Sequence, residues 1–533
     1  MSGRTAWLTL AGVTVAGLIV RAIPPAVSDF PVNDGGLFVA MTRAIQEAGW
    51  ALPVSVAWNG ADLPLTYPPL AFYALGALDS VLGLDLLGVF RWFPLLTSVL
   101  IVPAVYLLTR ALLRSDLGGL VAASAYSLAP ASYVWMIQGG GVTRSPGLLV
   151  AVVAVWQVVL LVRAPSLRRT MAVGFLGGLT ALVHPGAAVF AAISGALIWA
   201  FEARNRRSLL HAAAAMAVAL LVVAPWALLV VSRHGLTALT DVPSNGPDPV
   251  AAVVAVVAGR YTGVPFMDPL AVIGLALAIL FIVRRRFLFP LWFVAGIALS
   301  YQYAMVPFGL LVGSAAIELM ALWTGPGAPG SRGALGSRGA PSVPAQPARR
   351  WIAVVGAGAL AAALAVEGIA SAFTVANPRA PVHALSPERL DAMSWVAAEI
   401  GPDARVAVIT DSVWSGDPDS EWFPQLTQRT SVATVQGSEW MGQDAFDGQV
   451  EVHRALQRCV RPASVSCVHD WLDETPADYL YLPKGPLHGP GSPPDCCAEL
   501  RRGLVADAVF EVVYDGPGAT ILWVVQPLTP DQG

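Results

Sequence analysis

Apolar residues fill the first 372 positions in long blocks, broken by short polar or Gly/Pro-rich stretches. Blocks of ~20 apolar residues match the thickness of a hydrocarbon core and predict transmembrane helices. They fall near 5–24, 90–112, 117–137, 146–162, 170–184, 186–201, 209–231, 267–283, 287–304, 305–323 and 351–372. After about 373 the pattern changes to short helix and strand signals of the soluble type. Ser386-Pro387-Glu388 starts a helix reaching about Ile400. ARVAVIT (404–410) and DYLYL (478–482) read as buried strands. VFEVVY and TILWVV, joined by DGPGA, read as a terminal hairpin.

Charge orients the spans. With the N-terminus inside, 16 of the 32 basic residues fall in inside segments and 6 in outside ones, the rest lying in the tail. That asymmetry is a strong positive-inside signal. It also decides residues 68–84, which are apolar enough to pass for a span. Counting them as one would put the arginine clusters outside, so they are expected to form a juxtamembrane helix on the outer face. Arg21 stands where a signal-peptidase site would need small residues, so the first block reads as an uncleaved anchor. Residues 324–350, rich in Gly, Pro, Ala and Ser, read as a disordered cytoplasmic linker. The expected organisation is therefore a membrane region (1–323), this linker, a last span (351–372) and an extracytoplasmic α/β domain (373–533). The expected location is the plasma membrane.

Composition agrees: 56% of residues are hydrophobic, 13% are charged, and mean hydropathy is +0.63. A net charge of −3 leaves no basic footprint for nucleic acid. All four cysteines, Cys459, Cys467, Cys496 and Cys497, lie in the tail. An even count confined to an outside domain predicts disulfides. Vicinal Cys496 and Cys497 are not expected to pair with each other. Two bridges tying the 459–467 loop to the 496–497 segment are expected instead. Zinc is the alternative, but no C-x₂-C pair has a matching partner pair.

Candidate chemistry gathers on the outer side. The first loop carries SDFPVNDGGLFVAM, with Asn33-Asp34 followed by two glycines that permit a tight turn. Asp34 has two readings: the cap of a helix starting near Gly36, or a catalytic carboxylate. QGGGVTRSPG (138–147) offers backbone N–H groups, hydroxyls and Arg144, suited either to a phosphate or to lipid headgroups. ALVHPGAAVF (181–190) places His184 at a helix-breaking turn, as an interfacial imidazole or as a phosphate contact or proton carrier. Arg260, in loop 233–266, is a further candidate phosphate cation. In the tail, Glu421-Trp422 pairs an acid with an aromatic. It serves either sugar stacking and hydroxyl recognition, or a buried tryptophan beside a capping acid. Glu318 is an intramembrane acid with no evident role.

An acid soon after the first span, then Tyr67-Pro68-Pro69-Leu70 with Phe72 and Tyr73, then YLLTR (106–110), resembles the GT-C superfamily. These are multi-span glycosyltransferases that use polyprenyl-phosphate-linked sugars, such as the protein mannosyltransferases and aminoarabinose transferases. The resemblance covers about 1–320. It implies a mostly α-helical, GT-C-like membrane protein of about 11 spans with a catalytic Asp34. Asn33, Tyr67, Arg144, His184 and Arg260, with Glu421 and Trp422 from the tail, would bind substrate. The implied partners are the lipid-phosphate donor, membrane lipid and a lipid, glycan or protein acceptor. A divalent cation (Mg or Mn) is an option. The superfamily's paired acid is Asn33-Asp34 here, which removes one carboxylate. A transporter or flippase, or a non-catalytic scaffold with an outer sensor domain, is the competing reading. The absence of internal repeats and of a P-loop counts against transport.

Overall fold

The computed structural model describes residues 3–240, 268–324, 384–485 and 495–525, with scattered positions between 358 and 373. The 324–350 linker beyond Thr324, Arg260 and most of the last predicted span lie outside the described residues.

The membrane half is helical. Six described helices are long and apolar enough to cross a membrane: α1 (Gly3–Val27), α4 (Leu86–Leu113), α6 (Gly141–Arg163), α8 (Pro185–Glu202), α9 (Arg206–His234) and α12 (Tyr301–Thr324). Shorter helices occupy four further predicted blocks: α5 (Asp116–Leu128), α7 (Leu167–Val183), α10 (Asp268–Val283) and α11 (Leu288–Leu299). The span expected at 117–137 thus ends early, at Leu128. Pro130 has no N–H to donate, and the residue before it is pushed out of the helical region; Ala129 has ψ 121°. A 3₁₀ turn and an irregular segment then carry the chain to Gly140. The break between the two blocks at 287–323 falls at Ser300, not at 304.

Residues 68–84 contain an 11-residue apolar helix, α3 (Leu70–Ser80). Glu318, left without a role by the sequence, is held by Arg284 and Arg286. Arg21 is fully buried. Its guanidinium donates to the carbonyls of Ser98, Tyr126 and Ser127 and to the hydroxyls of Ser98 and Ser132. It thereby satisfies the carbonyls that the end of α5 leaves open, and ties α1 to α4 and α5.

The tail begins with helix α13 (Pro387–Glu399), started by its proline as expected. It then folds around a five-stranded sheet of order β4-β3-β5-β7-β6, built from β3 (Arg405–Val408), β4 (Thr430–Ser431), β5 (Tyr479–Pro483), β6 (Phe510–Asp515) and β7 (Ala519–Val524). β3 runs parallel to β4 and β5, and the β6–β7 hairpin joins antiparallel through β7. Strand alternation divides two cores. Val406, Val408, Tyr481 and Ile521 face one side, and Ala407, Ile409, Leu480, Leu482 and Leu522 the other.

The first core is shared with the first loop. Phe30, Leu37, Val56, Trp58, Leu63 and Phe72 pack with Val396, Trp422 and Tyr481 in one cluster. The tail is therefore no separate appendage, because its sheet is covered on one face by the loop between α1 and α4. Within that loop, β1 (Ser55–Trp58) and β2 (Ala61–Pro64) form a hairpin turning at Asn59-Gly60, both at positive φ (50° and 77°). Asn-Gly is a strong hairpin signal, since both central residues of such a turn take positive φ. The turn docks on the sheet edge: the Asn59 amide donates to Ser431 O (2.9 Å) and accepts from Ser431 N (2.6 Å).

The disulfides differ from expectation. They join Cys459 to Cys467 and Cys496 to Cys497. The chain reverses just after Cys459: Ser464 N–H donates to Cys459 O, and Ala463 takes φ 51°. This brings Cys459 and Cys467 to a Cα separation of 5.5 Å, within bridging range. With those two partnered locally, Cys496 and Cys497 pair with each other. Among the described residues no group of three His, Cys, Asp or Glu side chains gathers to hold a metal.

Candidate active site

Asp34 caps no helix of its own segment. Helix α2 (Gly36–Glu47) has Gly35 as its N-cap, and the carboxylate that serves its first N–H groups comes from the tail. Glu421 Oε1 accepts from Gly35 N (3.2 Å) and Leu37 N (3.4 Å). Asp34 points instead at the start of α6. Its Oδ1 accepts from Gly140 N (2.8 Å), and its Oδ2 accepts from Arg144 Nη2 (3.0 Å). A helix N-terminus carries partial positive charge and open N–H donors, so it stabilises the anion there.

Two of the three glycines of 139–141 are explained by this approach; the third, Gly141, passes against Met136 O instead. A Cβ on Gly139 would stand 1.7 Å from Asp34 O, and one on Gly140 would stand 2.3 Å from Asp34 Oδ2. The glycines make room for a protein carboxylate, where the sequence offered them to a phosphate. Gly139 N–H also donates to Val32 O (2.9 Å), which fixes the height of the Asn33-Asp34 turn. Asn33 has φ 60° and donates to Gln138 Oε1 (3.1 Å) and Ser415 O (3.3 Å). Thr143, Arg144 and Ser145 belong to the first two turns of α6 rather than to a loop.

Arg144 also donates to Trp135 O (3.2 Å) and lies over the Trp135 ring. Its side chain and that of Asp34 each keep 23% exposure, so the pair is reachable from outside. Tyr67 OH meets Thr143 Oγ1 at 3.1 Å. Burial raises the Tyr67 phenol above its ordinary value, so it is a neutral donor at this site. His184 caps α8: its Nδ1 accepts from Ala187 N (3.2 Å) and lies 3.3 Å from Tyr303 OH. Gly147 lets α6 pass against the His184 side chain, since a Cβ there would be 2.6 Å from His184 Cβ. The Arg144 charge acts on both His184 and Tyr303. Asp34, Tyr67, Arg144 and His184 are thus brought into one neighbourhood. Tyr303 and Gly140 complete it; Tyr303 lies inside an apolar run, where no sequence signal marks it out.

Trp422 is corrected by its burial. It has 0% exposure, so neither ring face is open to a sugar. Its Nε1–H donates to Asn33 O (2.7 Å), and its ring meets Phe30 at 4.6 Å between centroids. It is the side chain by which α14 (Pro418–Thr427) clamps the Asn33-Asp34 turn. Glu421 is buried as well. Burial, then the nearby Asp34 charge, push its carboxyl up to about 8, opposed by the two backbone N–H bonds. Its Oε2 has no hydrogen-bond partner among the described residues.

A divalent cation does not fit this donor set. Both Asp34 oxygens already face N–H donors, one of them cationic, and Glu421 Oε1 is committed to α2. The guanidinium of Arg144 already holds the Asp34 oxygen that a cation would need.

A family model described as dolichyl-phosphate-mannose-protein mannosyltransferase matches residues 66–228, a segment containing Tyr67, Gly140, Arg144 and His184. No curated protein sequence matches the chain. Among solved structures, the archaeal oligosaccharyltransferase from Archaeoglobus fulgidus, in complex with an inhibitory peptide and a dolichol-phosphate, is similar at TM-score 0.58. It has 13% identity, over 90% of this chain and 69% of that one. ArnT from Cupriavidus metallidurans bound to undecaprenyl phosphate is similar at TM-score 0.52 and 14% identity, over 100% of both chains. The arabinofuranosyltransferase AftD from Mycobacteria is similar at TM-score 0.52 and 15% identity, over 98% of this chain and 40% of that one. At such identities the likeness shows a shared membrane-protein fold, and the family model matches 66–228, less than a third of the chain.

Proposed function

We propose that the chain transfers a sugar from a polyprenyl-phosphate donor to a lipid, glycan or protein acceptor at the extracytoplasmic face of the plasma membrane. The arginine distribution supports that orientation, with eleven spans and the α/β domain outside. The observation that carries the reading is the Asp34–Arg144 pair, held at 3.0 Å at the start of α6.

In the free enzyme the two charges neutralise each other. A donor phosphate competes for the guanidinium, whose planar fork suits phosphate oxygens. Asp34 keeps its Gly140 N–H bond and is released to accept the proton of an acceptor hydroxyl. As the hydroxyl oxygen bonds to the sugar's anomeric carbon, the carbon–phosphate oxygen bond breaks. Its electrons leave with the polyprenyl phosphate, which gains a second negative charge. Arg144, with the neutral Tyr67 phenol near it, faces that growing charge. Nδ1 of His184 is spent on capping α8, which leaves Nε2 as the nitrogen that can meet a phosphate oxygen. Confinement of lipid-borne phosphate and Asp34 to one interfacial layer supplies much of the orientation.

The test is transfer from a radiolabelled polyprenyl-phosphate sugar in purified membranes. Asp34→Asn keeps the shape and removes the charge, and should reduce transfer by ~10²–10⁴. Transfer at the wild-type rate would place the chemistry elsewhere.

A further inference from the structure

The tail holds a cavity of about 490 Å³ that none of the chemistry above uses. Its lining includes Trp414, Ser415, His453, Arg454, Arg458 and Arg461. Arg454 stands on helix α15 (Gln443–Gln457), and Arg458 and Arg461 in the turn that follows it; all three line the cavity. On the opposite wall runs the 411–415 loop, pinned by His453, whose ring nitrogens meet Ser412 O (3.0 Å) and Ala433 O (3.1 Å). Trp414 stands on that wall, edge-on to Phe446 and partly exposed.

That same loop is the wall of the catalytic turn. Ser415 O accepts from the Asn33 amide, and Asn33 is the neighbour of Asp34. One side of the loop therefore faces the cavity while its carbonyl positions the catalytic segment.

We propose that this cavity binds an anionic saccharide, as part of the acceptor. The proposal rests on the glycosyltransferase reading above and names the acceptor's chemistry. Three guanidinium groups set the charge of the ligand. All three are largely exposed in their present ion pairs: Arg454 and Arg458 share Glu451, and Arg461 pairs with Asp411. Ion pairs open to water in this way are weak, so an incoming carboxylate or phosphate displaces them at little cost. The partly exposed indole of Trp414 supplies an apolar face for a sugar ring, the role that buried Trp422 cannot fill. Serine hydroxyls and backbone groups of the 411–415 loop are at hand for ring hydroxyls. A saccharide seated here lies one loop away from Asn33-Asp34, so its far end is the part presented for transfer.

The test is binding by the full-length protein in detergent, read by titration calorimetry without turnover. The probes are tetragalacturonate, maltotetraose as its neutral counterpart, and inorganic phosphate. The acidic tetrasaccharide should bind at least tenfold more tightly than either control. Arg458→Gln with Arg461→Gln should weaken it at least tenfold, and Trp414→Ala should weaken both tetrasaccharides. Equal affinity for the acidic and neutral tetrasaccharides, or binding untouched by the arginine changes, overturns the proposal. Phosphate binding as tightly as tetragalacturonate also overturns it, since the site would then read charge alone. Asp34→Asn should bind tetragalacturonate as the wild type does. An Asp34→Asn protein that still transfers sugar would remove the functional reading while leaving this binding result standing.

Discussion

Arg144 Nη2 lies 3.0 Å from Asp34 Oδ2, although 110 residues separate them in the chain. The pair is the junction between the first loop and the N-terminus of α6. Arg144 is expected to act through the donor. Arg144→Ala should raise the donor KM more than it lowers kcat. Arg144→Lys should recover little, because an ammonium cannot hold the bidentate geometry of a guanidinium. Steady-state kinetics with the lipid donor varied separate the two parameters. A fall in kcat alone would assign Arg144 to the chemical step.

Gly140→Ala tests the close approach. The new methyl would meet both Asp34 carboxylate oxygens, at 2.3 and 3.0 Å, so the turn or the helix start must move. A shift of ~1 Å at a reacting group is worth about 10² in rate. Transfer should fall by that order while detergent-solubilised protein keeps its elution volume. Gly177→Ala is the control, since its Cβ would meet only Ala219 Cβ at 3.7 Å.

Glu421 confers a pH dependence with a defined sign. Its carboxyl is pushed up to about 8 from an ordinary 4.5, so between those values the folded protein holds a proton that the unfolded chain has lost. Stability must then fall as pH rises through that window, by at most about 1.4 kcal/mol per unit, and level off outside it. Thermal melting of the wild type should drop between pH 5 and 8. Glu421→Gln, which can still accept from Gly35 and Leu37, should remove this component. An unchanged slope in Glu421→Gln would mean that other groups set it.

Trp422→Ala should separate the tail from the first loop. A fully buried indole and its bond to Asn33 O are lost together. Truncations of this size cost about 3–5 kcal/mol. Limited proteolysis should then cut near Asn59-Gly60, where the hairpin turn is protected by Ser431 in the wild type. Equal resistance in both proteins would count against the shared core.

Peptide mapping without reduction should find Cys459 joined to Cys467, and Cys496 to Cys497. A peptide linking the 459–467 segment to the 496–497 segment would restore the connectivity expected from the sequence.

The sequence alone determined the solvent of each part of the chain. Runs of apolar residues placed the helices of the membrane half, because burial in lipid demands continuous hydrophobicity and internally satisfied backbone. The tail's helix start at Pro387 and its four longer strands were legible for a related reason: period-two alternation and turn residues are local properties. Asp34, Arg144 and His184 were legible as individuals, each a polar group at the edge of an apolar run. Their relationship was not. Whether Asp34 caps α2 or faces Arg144 depends on which N–H groups come near it. Glu421, far along the chain in the tail, takes the cap that sequence proximity assigned to Asp34. Trp422 carried two readings in the sequence, a sugar platform or a buried indole, and the first loop, by covering it, decides for the second. The disulfide partners were likewise set by a chain reversal at Ala463 that no spacing announces. Local pattern fixes what each segment is made to touch, water, lipid or core. Only the closed chain decides which segment supplies the contact, since that choice is made by packing between residues far apart in sequence.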